Sequence, residues 1–269
     1  MNDFRYETHI ACDPLLPFVL DDIMTLAPDF FNPVPNWHDD LEILNCREGE
    51  GYVIMDGKRV DFSAGDTVII CPLVIHNVYS DSSVSFFPVT PGRDFCVSNG
   101  IDTDRLVYPE KIRDAEMNKL SRELESHYHS SDYLRTAKIR RTVLDMMINL
   151  TEKYGRLPDE TSNGKKADFI RVRNVIRFIR DNYGRGITLD EIARYSGINK
   201  YTVSRDFKEL TGMTIVSYLN NYRCRIARER ICSGMSVSEA AEICGFTNLS
   251  YFSRTFRKYV GELPSKNRT

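Results

Sequence analysis

The sequence predicts an α+β protein of two domains, an N-terminal β-barrel or sandwich with trailing helices and a C-terminal all-α unit. Three observations carry this. Short β-branched and aromatic runs recur between turn signals from about residue 35 to 98. After about Pro109 apolar residues return at helical spacing instead. Near the end of the chain one helical unit is written twice.

In chain order, the runs LEILNC, GYVIMDG, DTVIICP and VSFFPV read as strands, and REGEG, DGK, SAGD and TPG read as the turns between them. Ala115 to His129 is a polar helix with a thin apolar stripe. Ala137 to Tyr154 sets Ile139, Val143, Met146, Met147, Leu150 and Tyr154 on one helical face. That stripe suits packing on the barrel and a helix-to-helix dimer seam equally. GRLPDETSNGKKA has almost nothing to bury and reads as a linker. The expected organisation is therefore residues 1–154, a linker over 155–167, and a helical unit over 168–269. The unit opens with FIRVRNVIRFIRDNYG, apolar at Val172, Val175, Ile176 and Ile179 and carrying Arg171, Arg173, Arg177 and Arg180 on its other faces.

ITLDEIARYSGI aligns with MSVSEAAEICGF at a constant offset of 48, and Ser204, Arg205, Phe207 and Gly212 align with Ser253, Arg254, Phe256 and Gly261 at 49. Thr188 or Ser236 caps a short helix, with Glu191 or Glu239 completing a capping box. Glycine then supplies a tight turn, and the next helix is expected to bury Val203, Phe207 and Leu210 in one copy, Phe252, Phe256 and Tyr259 or Val260 in the other. This is a helix-turn-helix used twice. Opposite the buried phenylalanines, Tyr201, Arg205 and Lys208 share a stripe, matched by Ser250, Arg254 and Arg257. Such donors on a helix thin enough for the major groove suit base reading. Ser204 and Ser253 accompany them, Asn248 is placed to pair with adenine, and Lys200 and Lys258 suit phosphate contacts. Ile215 to about Ser233 reads as a spacer helix on the order of 28 Å long. Recognition helices near its ends would lie about one duplex turn, roughly 34 Å, apart.

Composition narrows the function classes. Residues 168–269 hold 18 Lys and Arg against 10 Asp and Glu, a net +8, whereas the rest of the chain carries −10. A basic block joined to an acidic one points to a polyanion partner for the C-terminal part alone. Seven cysteines, with no C-x-x-C spacing, read as free thiols rather than a disulfide or zinc framework. No apolar run approaches eighteen residues, and MNDFRYETHIACD has no signal-peptide pattern, so the expectation is a cytoplasmic protein with no membrane partner. No nucleophile–histidine spacing or phosphate-cradling glycine loop is visible.

About Val172 to Arg268, with ITLDEIARYSGINKYTVSRDFKELTG, SYLNNYRCRIARERI and VSEAAEICGFTNLSYFSRTFRKYVGELP, resembles the AraC/XylS family of bacterial transcription regulators. Leu263 before Pro264 and Asn267 before Arg268 depart from the family pattern. WHDDLEILNCREGEGYVIMDGKRVDFSAGDTVIICPLVIHNV resembles a cupin barrel, the sensor half of many such regulators. His38, Glu42 and His76 stand where metal-binding cupins carry ligands, but a second His expected near Asp40 is absent. Sensor cupins commonly keep the scaffold without the metal, so no metal and no cofactor is expected. Trp37, His38, Glu42, Tyr52 and His76 are the candidate effector-binding residues. The resemblance implies a DNA-binding regulator, more often an activator, controlled by a small molecule such as a sugar. It also implies contact with RNA polymerase and a homodimer joined through the helices after the barrel. The alternative is a metal-dependent cupin isomerase or oxygenase with a helical accessory domain.

Overall fold

A computed structural model describes residues 4–7, 9, 13, 15–28, 34–157 and 165–267. The chain divides into two units, Met1–Asp159 and Glu160–Thr269.

The N-terminal unit is a curled ten-stranded sheet organised about one long strand. Four short strands come first: β1 (Arg5–Tyr6), β2 (Phe18–Leu20), β3 (Met24–Leu26) and β4 (Asn36–Trp37). Then follow β5 (Glu42–Met55), β6 (Lys58–Ser63), β7 (Thr67–Ile70), β8 (His76–Tyr79), β9 (Val84–Pro91) and, after helix α1 (Arg93–Ser98), β10 (Lys111–Ile112). Strand β5 pairs with β7 and β9 through its first half and with β6 and β8 through its second. The REGEG stretch, expected as a turn, lies inside this strand. Its register against β9 shifts between Cys46 and Glu48, a bulge, and Gly49 follows at φ 76°. A Cβ on Gly49 would lie 2.0 Å from the Ser83 carbonyl oxygen, and one on Gly51 2.8 Å from that of Tyr79. The glycines let one strand bend past its neighbours instead of ending it. DGK does turn: Asp56 and Gly57, both at positive φ, close the β5–β6 hairpin.

Two further expectations need correction. β structure does not begin at about residue 35, because β1, β2 and β3 precede it, each too short to show a period of two. Nor does it run unbroken to residue 98: β9 ends at Pro91, helix α1 follows, and pairing resumes only at β10. Gly92, pressed against the Pro17 carbonyl, ends the ladder and caps α1.

Alternation along the strands divides two cores. Ile43, Ile69, Phe87 and Val89 face the helices, while Leu44, Val68, Ile70 and Phe86 face a second cluster with Val53, Met55 and Phe62. Helices α2 (Ala115–Tyr128) and α3 (Arg135–Tyr154) cover the first face. Asp114 caps α2 by accepting from Met117 N–H at 2.8 Å, and also accepts from Lys153 Nζ and Tyr154 OH on α3. The α3 stripe is consumed here. Ile139, Val143, Met146, Met147 and Leu150 are each at most 1% exposed, in one cluster with the sheet. A dimer seam on α3 cannot use those five residues.

The C-terminal unit is all helix: α4 (Lys165–Asn182), α5 (Leu189–Ser196), α6 (Lys200–Thr211), α7 (Ile215–Cys232), α8 (Val237–Ile243) and α9 (Leu249–Val260), with a final 3-10 turn at Pro264–Asn267. Helix α4 starts inside the stretch read as linker, the remainder of which lies mostly outside the described residues. Val172, Val175, Ile176 and Ile179 are buried, as expected of its apolar face. Helix α7 is the shared beam. Tyr218 meets Phe207 of α6 at 5.7 Å between ring centroids. Tyr222, Cys224, Ala227 and Ile231 join Ala240, Ala241, Phe252 and Phe256 of the second pair. Of the block's basic residues, Arg173, Arg180, Arg223 and Arg225 are buried, so its exposed charge is smaller than its composition suggests. Cys46, Cys96, Cys224 and Cys244 are buried free thiols.

Candidate nucleic-acid interface and effector pocket

The two helix-turn-helix units are built alike. Thr188 accepts from Glu191 N–H and Ser236 from Glu239 N–H, each at 3.2 Å, and both glutamates return the bond to the cap residue's own N–H. Turn glycines Gly197 and Gly245 sit at φ 68° and 78°. The second is more constrained, since a Cβ there would meet the Tyr183 carbonyl oxygen at 2.7 Å and Arg223 Nη2 at 2.8 Å. Asn199 caps α6, accepting from Tyr201 and Thr202 N–H, and Asn248 caps α9, accepting from Tyr251 N–H at 2.8 Å. The Asn248 carbonyl oxygen is thereby engaged, so a bidentate pairing with adenine would have to break its cap.

The buried faces are Val203 and Phe207 on α6 and Phe252 and Phe256 on α9, whereas Leu210, Tyr259 and Val260, near the helix ends, are only half-buried. Opposite them Tyr201 (78% exposed), Arg205 and Lys208, and likewise Ser250, Arg254 and Arg257, face outward. Ser204 and Ser253 donate to the carbonyls of Lys200 and Leu249 one turn back, leaving only acceptor capacity outward. The copies differ in charge. Arg205 donates through Nη2 to Asp206 at 2.9 Å and lies 4.0 Å from Glu209, and Lys200 pairs with Asp190 at 3.3 Å. Among the described residues, no carboxylate pairs with Arg254, Arg257 or Lys208. Asp206 went unnoticed in the sequence because it lies next to Arg205, on the buried side of the helix.

In the N-terminal unit, His38, Glu42 and His76 come together. His38 Nε2 lies 3.1 Å and His76 Nε2 3.6 Å from Glu42 Oε2. Their Nδ1 atoms lie 2.9 Å from the Asp40 carbonyl and 3.0 Å from that of Val74. A carbonyl only accepts, so both Nδ1 atoms carry the proton. A third imidazole, His9, packs against His38 with ring centroids 4.5 Å apart and the planes tilted by 48°. It stands far upstream in the sequence and left no signal there. Burial pushes Glu42 up, but the hydrogen bond and charge of His38, with His76 and His9 beyond, override it and hold the carboxyl at about 2. Burial alone would lower His38, yet its bond to Glu42 raises it. Burial and the His38 charge take His76 down to about 4.

Beside this cluster lies a cavity of about 300 Å³. Its polar lining is Glu7, His9, Asp21, Asn36, Glu42, His76, Asn77 and Thr90, among apolar residues including Leu26, Leu44 and Phe86. None of the described lining residues is Lys or Arg. Two expected pocket residues are elsewhere. Trp37 is 1% exposed and packs on Tyr6 in the interior. Tyr52 stacks on Tyr79 under the Arg59 guanidinium and borders a different, outer cavity. Strand alternation and the β5 bend turn them away from the mouth where the histidines meet.

These features define a class: a cupin-type sheet joined to a doubled helix-turn-helix. Known proteins agree. A cupin domain family matches residues 22–89 and a helix-turn-helix domain family residues 192–269. The transcriptional activator RhaS of Shigella dysenteriae is 26% identical over 93% of this chain and 88% of its own length. RhaS of Klebsiella pneumoniae is 27% identical over 54% of this chain, but only 48% of that relative is spanned. The crystal structure of a probable AraC family transcriptional regulator from Rhodopseudomonas palustris is 30% identical, with 36% of this chain and 93% of that one covered and a TM-score of 0.35. The chain thus pairs a cupin domain with an AraC-type helix-turn-helix domain, and its homologues are transcriptional activators of that type. The relatives are regulators, not enzymes.

Proposed function

We propose that this chain is a sequence-specific DNA-binding regulator of transcription whose N-terminal sheet binds a small effector. The observation that carries the reading is the doubled helix-turn-helix, with each outer stripe cationic and each inner stripe locked by phenylalanine. The stripes suit adjacent major-groove segments of one operator. An effector that binds one arrangement of the chain better by a few kcal/mol would change operator occupancy. Acidic lining without Lys or Arg favours a neutral polyhydroxylated or cationic effector over a carboxylate or phosphate. RhaS is named as an activator, which supports activation here too. The same reading includes cytoplasmic location, contact with RNA polymerase, and a homodimer formed through surfaces other than the buried α3 stripe.

The test is selection of random-sequence duplexes on the full-length protein. Enrichment of two short motifs about ten base pairs apart is expected. Binding of the selected duplex should weaken linearly in log salt. Recovery of no preferred sequence would refute the reading.

A further inference from the structure

We propose that Asp206 sets the affinity and the base tolerance of the first helix-turn-helix: its carboxylate parks Arg205 and lets it go to the duplex by taking Arg171 in exchange. This rests on the DNA-binding reading above and makes one of its two readers conditional. Arg205, whose side chain is 64% exposed, donates through Nε at 3.2 Å and Nη2 at 2.9 Å to Asp206 Oδ1. The Asp206 side chain is only 7% exposed and reaches inward, where Arg171 of α4 approaches its other oxygen. The position 49 residues on holds Thr255, also buried but uncharged, so the second copy has no carboxylate next to Arg254.

A buried carboxylate needs a cation beside it, so Arg205 cannot leave unless another takes its place. Arg171 is positioned to do so. Its Nη2 lies 3.6 Å from Asp206 Oδ2, just beyond hydrogen-bond range. In the arrangement seen, Nη2 donates to Asp168 Oδ1 instead. Two buried polar atoms are then left over, since Asp206 Oδ2 and Arg171 Nε make no hydrogen bond among the described residues. Such orphans are costly, and a shift of about 1 Å in Arg171 would bring the two side chains into contact. The consequence is a weak, forgiving reader. On a guanine, Arg205 gains a bidentate pair but surrenders its ion pair, so the net gain is the difference. On a wrong base it stays with Asp206 and loses only that difference. Affinity and discrimination at that base pair both fall, leaving Arg254 on α9 as the stricter reader.

The test uses full-length protein, the duplex selected on the wild type, and versions of it changed at one base pair at a time. Asp206→Asn should bind the selected duplex about threefold more tightly. Its penalty for replacing the base pair read by Arg205 should grow, while penalties elsewhere hold. Asp206→Thr, matching the second copy, should behave alike. Both gains should vanish in the Arg205→Ala background. Arg171→Gln should weaken binding in the wild type and do nothing beside Asp206→Asn, a coupling that an independent phosphate contact would not show. A further measurement needs no DNA. In protein labelled with nitrogen-15 arginine, Arg205→Ala should slow solvent exchange of the Arg171 Nε–H, as that side chain closes on Asp206. Weaker binding by a folded Asp206→Asn variant would mean that the carboxylate aims Arg205 at its base, and would overturn the proposal. So would a gain that survives Arg205→Ala, or unchanged exchange at Arg171. Failure to select any duplex would sink the regulator reading itself, whereas these outcomes leave it intact.

Discussion

Gly245 holds a left-handed turn in a space where a methyl group would strike both the Tyr183 carbonyl and the Arg223 guanidinium. Gly197 holds the equivalent turn with nothing within 4 Å. Both carry the backbone cost of a substitution, about 1–2 kcal/mol, and only Gly245 adds a clash. Gly245→Ala is therefore expected to lower the urea midpoint of the helical unit further than Gly197→Ala, and equal losses would contradict the packing described. The arginines differ in the same way. Arg254 pairs with no carboxylate among the described residues, whereas Arg205 must leave Asp206 to meet a base. Arg254→Ala should cost about 1–3 kcal/mol of binding to a selected duplex and relax preference at one position. Arg205→Ala should cost less. The periodicity that revealed both arginines could not separate them, because it reports which face a residue occupies and not what sits beside it.

Among the elements, α3 shows how a stripe can be legible while its partner is not. Spacing alone placed Ile139, Val143, Met146, Met147 and Leu150 on one face, and a dimer and a domain core demand the same pattern. The structure spends that face on the sheet. Met147→Ala should therefore destabilise the N-terminal unit by about 2–5 kcal/mol in urea unfolding. If the variant instead dissociated an oligomer while keeping its monomer stability, the core assignment would be wrong. Strand β5 shows the converse. Gly49 and Gly51 carried a turn signal, but a bulge and a close neighbour turned that signal into a bend within one strand.

For the whole molecule, the chemistry of the cavity limits which effector the proposed function allows. Glu7, Asp21 and Glu42 line it without a compensating Lys or Arg among the described residues. In thermal unfolding of the full chain, neutral polyols should raise stability by RT ln(1 + [L]/Kd), about 2.7 kcal/mol at a hundredfold excess over Kd. Carboxylate and phosphate analogues of the same size should do little. A carboxylate that stabilises the chain more than its neutral counterpart would exclude this cavity as the effector site.

The amino-acid sequence by itself determined the parts that rest on local rules. Capping boxes at Thr188 and Ser236, the glycine turns and the helical periods are short-range, and the repeat is one such local unit copied 48–49 residues on. Tertiary structure alone decided which of those residues meet. It brought His9 to His38 and Glu42, turned Trp37 and Tyr52 away from the cavity, and buried four of the arginines that composition had counted as surface charge. Those outcomes depend on contacts between residues far apart in the chain, and such contacts leave no period or spacing for a sequence to display.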